Sequence, residues 1–146
     1  MKKTGLKWLM LSLIALLVIS FTPVSAVLAA DDREAIPVSA DQRDLVLAEM
    51  RNFLIAVQDI VLAIADHDMA AVSEAARTMG PGKGRGMSMG MSMPMEFRQM
   101  GRSTHMAFAE LAHAADMGPE GVMADLGTLM SNCTGCHGTF KLVIKP

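Results

Sequence analysis

The stretch Leu129-Met130-Ser131-Asn132-Cys133-Thr134-Gly135-Cys136-His137-Gly138-Thr139-Phe140-Lys141 lies close to the C-terminus of this 146-residue chain. Two patterns coincide in it. Val122, Leu126, Leu129, Cys133, Cys136 and Phe140 recur three and four positions apart, the spacing of one face of a helix. Within that face sits a C-x-x-C-H sequence. On a helix Cys133, Cys136 and His137 fall at i, i+3 and i+4, so all three project from one side. The spacing reads as a covalent attachment site for haem c. The two thiols add to the haem vinyl groups as thioethers, and the imidazole beside the second thiol binds the iron.

Other chemistries for this motif are weaker. A redox C-x-x-C belongs near a βαβ pattern, and nothing in this chain reads as period-two alternation. A structural zinc site needs four ligands at suitable spacing. His67, His105 and His113 are present, but none pairs with a further Cys or with another His at finger-like spacing. Cys133 and Cys136 are the only cysteines, which leaves none for a separate disulfide or thiol site.

The start of the chain bears on the same question, because haem attachment of this kind happens outside the bacterial cytoplasm. Lys2, Lys3 and Lys7 precede an apolar run from Trp8 to Ile19, Pro23 breaks that run, and small residues follow up to Ala30. This is the layout of a secretory signal peptide over residues 1–30, with cleavage expected after Ala30 and a periplasmic destination. The run is short for a membrane span, which needs about 20 residues, and no Cys lies near the cleavage region to carry a lipid. Without Lys2, Lys3 and Lys7, ten bases face fifteen acids, a formal net charge of −5. That balance argues against nucleic acid or an anionic membrane as partner and is compatible with a basic redox partner protein.

Residues 31–146 fit one domain. Asp31 to Ala40 reads as a polar, Pro-containing lead-in. Asp41 to Asp66 is the clearest helix, with Leu47, Met50, Leu54, Val57, Val61 and Ile64 as its inward seam and Phe53 and Ile60 widening it. Asp68 is placed to cap a second helix, Met69 to Met79, with Val72, Ala75, Ala76 and Met79 on one face. Residues 80–93 form a Gly- and Met-rich linker. Pro94 opens a third helix running to about Asp116, with Phe97, Met100, Thr104, Phe108, Leu111 and Ala115 along one face. Gly118-Pro119 separates it from the fourth, which carries the haem motif. Four helices with mostly short connections predict an all-α fold, an antiparallel four-helix bundle with one covalently bound haem between facing helices.

The motif with Phe140 and Lys141 behind it, close to the chain end, resembles the class II c-type cytochromes, the cytochrome c-prime family. Their pattern is C-x-x-C-H-x-x-aromatic-base. Class I cytochromes c carry the motif near the N-terminus instead. The resemblance covers the chain after residue 30 by helix order and length, though only the haem motif is specific. The short second helix and the Gly/Met linker depart from the family's pattern. The resemblance implies that Cys133 and Cys136 bind haem covalently, that His137 is the proximal iron ligand, and that Lys141 lies near the haem. In this family the sixth position comes from the first helix, and Met50 occupies the comparable place. A Met there implies low-spin iron with a potential suited to electron transfer. Family members are often dimers, which makes a homodimer an open expectation.

The function implied is one-electron transfer by a periplasmic mono-haem carrier, in which no side chain need act as acid, base or nucleophile. The alternative is a five-coordinate haem protein that binds nitric oxide or carbon monoxide; a weak peroxidase is a third. His67 and His113 read as surface residues, and His105 can face core or solvent. Met87, Met89, Met91, Met93 and Met95 alternate with small residues. Thioether sulfur is a soft ligand that suits Cu(I), so this run is a candidate copper site; the plainer reading is a flexible loop or a Met-rich cover over the haem edge.

Overall fold

The computed structural model describes residues 31–83 and 93–145. The expected signal segment 1–30 and Met87, Met89 and Met91 lie outside the described residues.

The described chain is mostly helical. Helix α1 spans Ala40–Ala65, about 39 Å at 1.5 Å per residue. Ser39 starts it with a reciprocal capping box. The Gln42 amide donates to the Ser39 hydroxyl (3.2 Å), and the Ser39 amide donates to the Gln42 side-chain oxygen (2.9 Å). Helix α2, Met69–Arg77, is capped by Asp68, whose carboxylate accepts from the Ala71 amide at 2.9 Å. Helix α3, Met95–Met117, follows Pro94. Gly118 and Gly121, at φ 135° and 86°, make the tight turn into helix α4, Val122–Thr139.

Two strands accompany the helices. The lead-in before α1 contains β1, Glu34–Val38, which pairs in parallel with β2, Phe140–Ile144, from Glu34↔Phe140 to Val38↔Ile144. The sequence reading held neither strand. In β1 only Ile36 and Val38 turn inward, so the alternation is too short to stand out, and Pro37 interrupts it. Each member of a two-stranded sheet is an edge strand, where a proline is tolerated.

Consecutive helices pack in chain order, α1 on α2, α2 on α3 and α3 on α4, while α1 and α4 make no comparable backbone approach among the described residues. One apolar cluster fills the helical body. Phe53, Ile60, Val72, Phe108, Leu111 and Leu129 are among its members, and the Phe53 and Phe108 rings stack at 5.4 Å. A second cluster lies under the strands and holds Ile36, Val38, Val46, Met93 and Phe140; the Phe140 ring meets Phe97 edge-on at 5.6 Å.

Helices α3 and α4 bury the faces expected of them. Helix α1 does not. Its buried residues are Val46, Phe53, Ala56, Ile60 and Ala63. Of the expected seam, Leu54 and Val61 are 68% and 49% exposed, and Leu47, Met50, Val57 and Ile64 are half-buried. The helix is turned by one residue, about 100°, from the predicted orientation.

Candidate functional site

The geometry of α4 explains what its motif can do. Cys133 and Cys136 stand on the face that buries Val122, Leu126 and Leu129, and both thiols are half-buried and free. The Cys133 thiol donates to the Leu129 carbonyl at 3.6 Å. Burial pushes both thiols above the usual cysteine range, and the neighbouring Cys133 raises Cys136 further. A redox C-x-x-C works through a lowered thiol pKa; here the environment drives the other way. These are neutral thiols in an apolar setting, which suits thioether attachment better than disulfide exchange.

Contacts fix the sides of α4. The Asn132 side-chain amide donates to the Ser103 carbonyl (3.4 Å), and a Cβ on Gly135 would lie 3.4 Å from the Met100 methyl, so α3 lies on that side. His137 follows Gly135 by two residues, about 200° around the helix. It therefore leaves α4 on the flank turned away from α3, and it is exposed. Its backbone is held from outside the helix, because Arg33 donates to the carbonyls of His137 (3.2 Å) and Phe140 (3.4 Å). Those carbonyls lie where helix geometry leaves C-terminal groups without intrahelical donors.

Met50 is half-buried on α1 and packs against both apolar clusters; Cys136 packs against the second, beside Phe97, Met100 and Leu142. The fold thus brings Met50 and Cys136 to the edge of one apolar cluster. The uncovered stripe of Leu54 and Val61 continues from Met50 along α1. Two half-buried thiols and an exposed imidazole on one helix, with a soft thioether on the cluster that also takes Cys136, are residue types that a covalently held haem would use. Lys141 is partly buried in β2, in register with Ala35. Met93 is buried in the second cluster, whereas Met95, on the first turn of α3, is 58% exposed.

His67 and His113 are exposed, as read from the sequence. His105 is not. Its Nε2 lies 2.9 Å from a Glu49 carboxylate oxygen and its Nδ1 lies 2.6 Å from the Met79 carbonyl oxygen. The Glu49 hydrogen bond holds its pKa above the ordinary histidine value; burial opposes this and the Met79 carbonyl adds to it. Sequence reasoning missed this pair and Arg33. The available signal was Glu49 itself, an acid set among apolar residues of α1 at the spacing of Val46 and Phe53.

Among the described residues, no three of His, Cys, Asp and Glu gather into a metal-holding group, and no helix is long and apolar enough to cross a membrane. No family model, curated protein or solved structure matches the chain.

Proposed function

We propose that this protein is an exported mono-haem c-type cytochrome of the class II kind, an antiparallel four-helix bundle that performs one-electron transfer in the periplasm with a redox partner protein. The observation that carries the reading is the C-x-x-C-H motif in register with the inward face of α4, both thiols half-buried and that of Cys136 bordering a cluster that also takes Met50. In this reading Cys133 and Cys136 hold the haem through thioethers, His137 is the proximal ligand, Met50 is the sixth ligand, and Lys141 lies nearby. The haem supplies a reversible one-electron couple. The chain supplies orientation and a low-dielectric surround, through Met93, Phe97, Met100 and Phe140. Arg33 and the strand pair steady the end of α4 that carries His137. With Met50 and His137 as its ligands, a haem iron would have a potential raised into a range suited to a carrier.

The test is the intact protein secreted from a host able to mature c-type cytochromes. Its mass includes one haem that resists acidified organic extraction, and its spectrum shows low-spin iron with a methionine–iron charge-transfer band that Met50→Ala abolishes. Bare polypeptide, recovered reproducibly, ends the proposal. A haem-loaded protein with high-spin iron and rapid carbon monoxide uptake keeps the attachment site and replaces the carrier by the gas-binding alternative.

A further inference from the structure

We propose that the Glu49–His105 pair sets the rotation of α1, deciding which of two neighbouring apolar stripes forms the buried centre of its face and which lies at the margin, where Met50, Val57 and Ile64 are half-buried against the core and Leu54 and Val61 are exposed. The two stripes have the same spacing and lie one residue apart. The first is Val46, Glu49, Phe53, Ala56, Ile60 and Ala63. The second is Leu47, Met50, Leu54, Val57, Val61 and Ile64. One residue is about 100° of rotation. By composition the second stripe is the better core face, with six sizeable apolar side chains against a set that includes two alanines and a carboxylate. The structure buries the first all the same.

What reverses the preference lies at Glu49. Its side chain and that of His105 are only 12% and 14% exposed, and they meet at 2.9 Å. The Met79 carbonyl can only accept, so Nδ1 carries a proton, and Nε2 shares a second with the carboxylate. The imidazole thereby joins α1, α3 and the connection that follows α2. It also sits against the Phe53 ring at 5.0 Å, in the same stripe as Glu49. Rotation of α1 by one residue would carry Glu49 away and leave a largely covered imidazole without its carboxylate. A buried polar group stripped of its partner is costly, whereas a buried ion pair is often no more stabilising than two apolar side chains. Such a pair is therefore suited to selecting one arrangement over another rather than to adding stability. With Glu49 inward, Met50 stands on the flank that meets the Cys136 cluster. Only the use of Met50 as an iron ligand rests on the proposed function; the choice of rotation does not.

The experiment reads the rotation directly. Val61→Cys and Ala63→Cys are introduced singly into the full protein, and maleimide labelling at each site is followed by peptide mass, which keeps Cys133 and Cys136 separate whether or not they carry haem. With the pair intact, position 61 labels at least tenfold faster than position 63. In a Glu49→Leu/His105→Leu background the expected protein stays helical and cooperative, and that ratio falls below about two or inverts. A reciprocal Glu49→His/His105→Glu exchange restores the tenfold order. An unchanged ratio in a folded Leu/Leu protein overturns the proposal. So does an unfolded Leu/Leu protein, which would make the pair a plain stability element, and so does a folded reciprocal variant that fails to restore the order. Absence of haem from the wild-type mass would sink the functional proposal alone.

Discussion

Val61, expected in the inward seam of α1 and exposed in the structure, separates the observed orientation from the one its sequence favours, and the buried Ile60 beside it is the reference. Ile60 is fully buried, and Ile60→Ala deletes three carbons. At roughly 0.8 kcal/mol per buried carbon this is about 2.4 kcal/mol, and the cavity left behind brings the cost to about 3–4 kcal/mol. Val61 is 49% exposed, so the two carbons lost in Val61→Ala are half-covered. Their removal costs about 0.8 kcal/mol, and the better helix propensity of alanine returns roughly 0.5 kcal/mol, for a net loss near ~0.3 kcal/mol. In urea melts followed by helical circular dichroism, with a slope of about 1.5 kcal/mol/M, the midpoint falls by roughly 2 M for Ile60→Ala and by about 0.2 M for Val61→Ala. A midpoint loss for Val61→Ala equal to or larger than that for Ile60→Ala would refute the orientation, and with it the case for the Glu49–His105 pair.

Further outcomes follow from the same geometry. Because the folded-state pKa of His105 is raised, the pair's contribution is fully present below about pH 6.5 and is lost as pH rises through the folded value. The stability gap between wild type and His105→Gln is therefore wider at about pH 6 than at about pH 9, and a gap that widens with pH contradicts the assignment. Phe140→Ala removes a buried ring that meets Phe97 and should cost about 3–5 kcal/mol. Hydrogen exchange at the Lys145 amide, which donates to Val38, should accelerate in step, and an unaltered rate there would separate Phe140 from the strand pair. On the proposed function, Cys133→Ser and Cys136→Ser each leave haem held by one thioether and Cys133→Ser/Cys136→Ser none, as read by mass after acidified extraction; full retention in the double variant would exclude thioether attachment.

How much of this was legible in the sequence depends on which physical term dominates each segment. The apolar face of α4, the expected cap at Asp68, and the break at Gly118 are local properties, written in spacing and turn chemistry. Asp68 caps α2 as expected, and Val122, Leu126, Leu129 and Phe140 are buried as expected. The rotation of α1 was not legible, because it turns on a partner 56 positions away. Hydrophobic spacing discounts a stripe that contains a glutamate unless its histidine is known to be waiting. The strands escaped for a related reason. Five residues with a proline carry little signal alone, and β1 exists because β2 returns beside it from more than 100 positions later. Haem, redox partner and destination are readings of the motif and the leader, on which the fold itself is silent.

The strand pair also bears on how the C-terminal turn of α4 is held. The last turn of a terminal helix is the segment most prone to fray, since its final carbonyls lack intrahelical donors and few contacts hold it. A ligand on such a turn would wander unless something outside the helix held it. Here Arg33 donates to the carbonyls of His137 and Phe140, Phe140 is buried against Phe97, and β2 continues directly from α4 into a parallel pairing with β1. The motif is thereby clamped from both sides, by the helix before it and by the strand after it. Because β1 leads directly into α1 through the Ser39 cap, the clamp that steadies His137 also fixes the start of the helix that carries Met50. Two residues separated by 87 positions are referred to one structural frame, as the ligand pair proposed above would require.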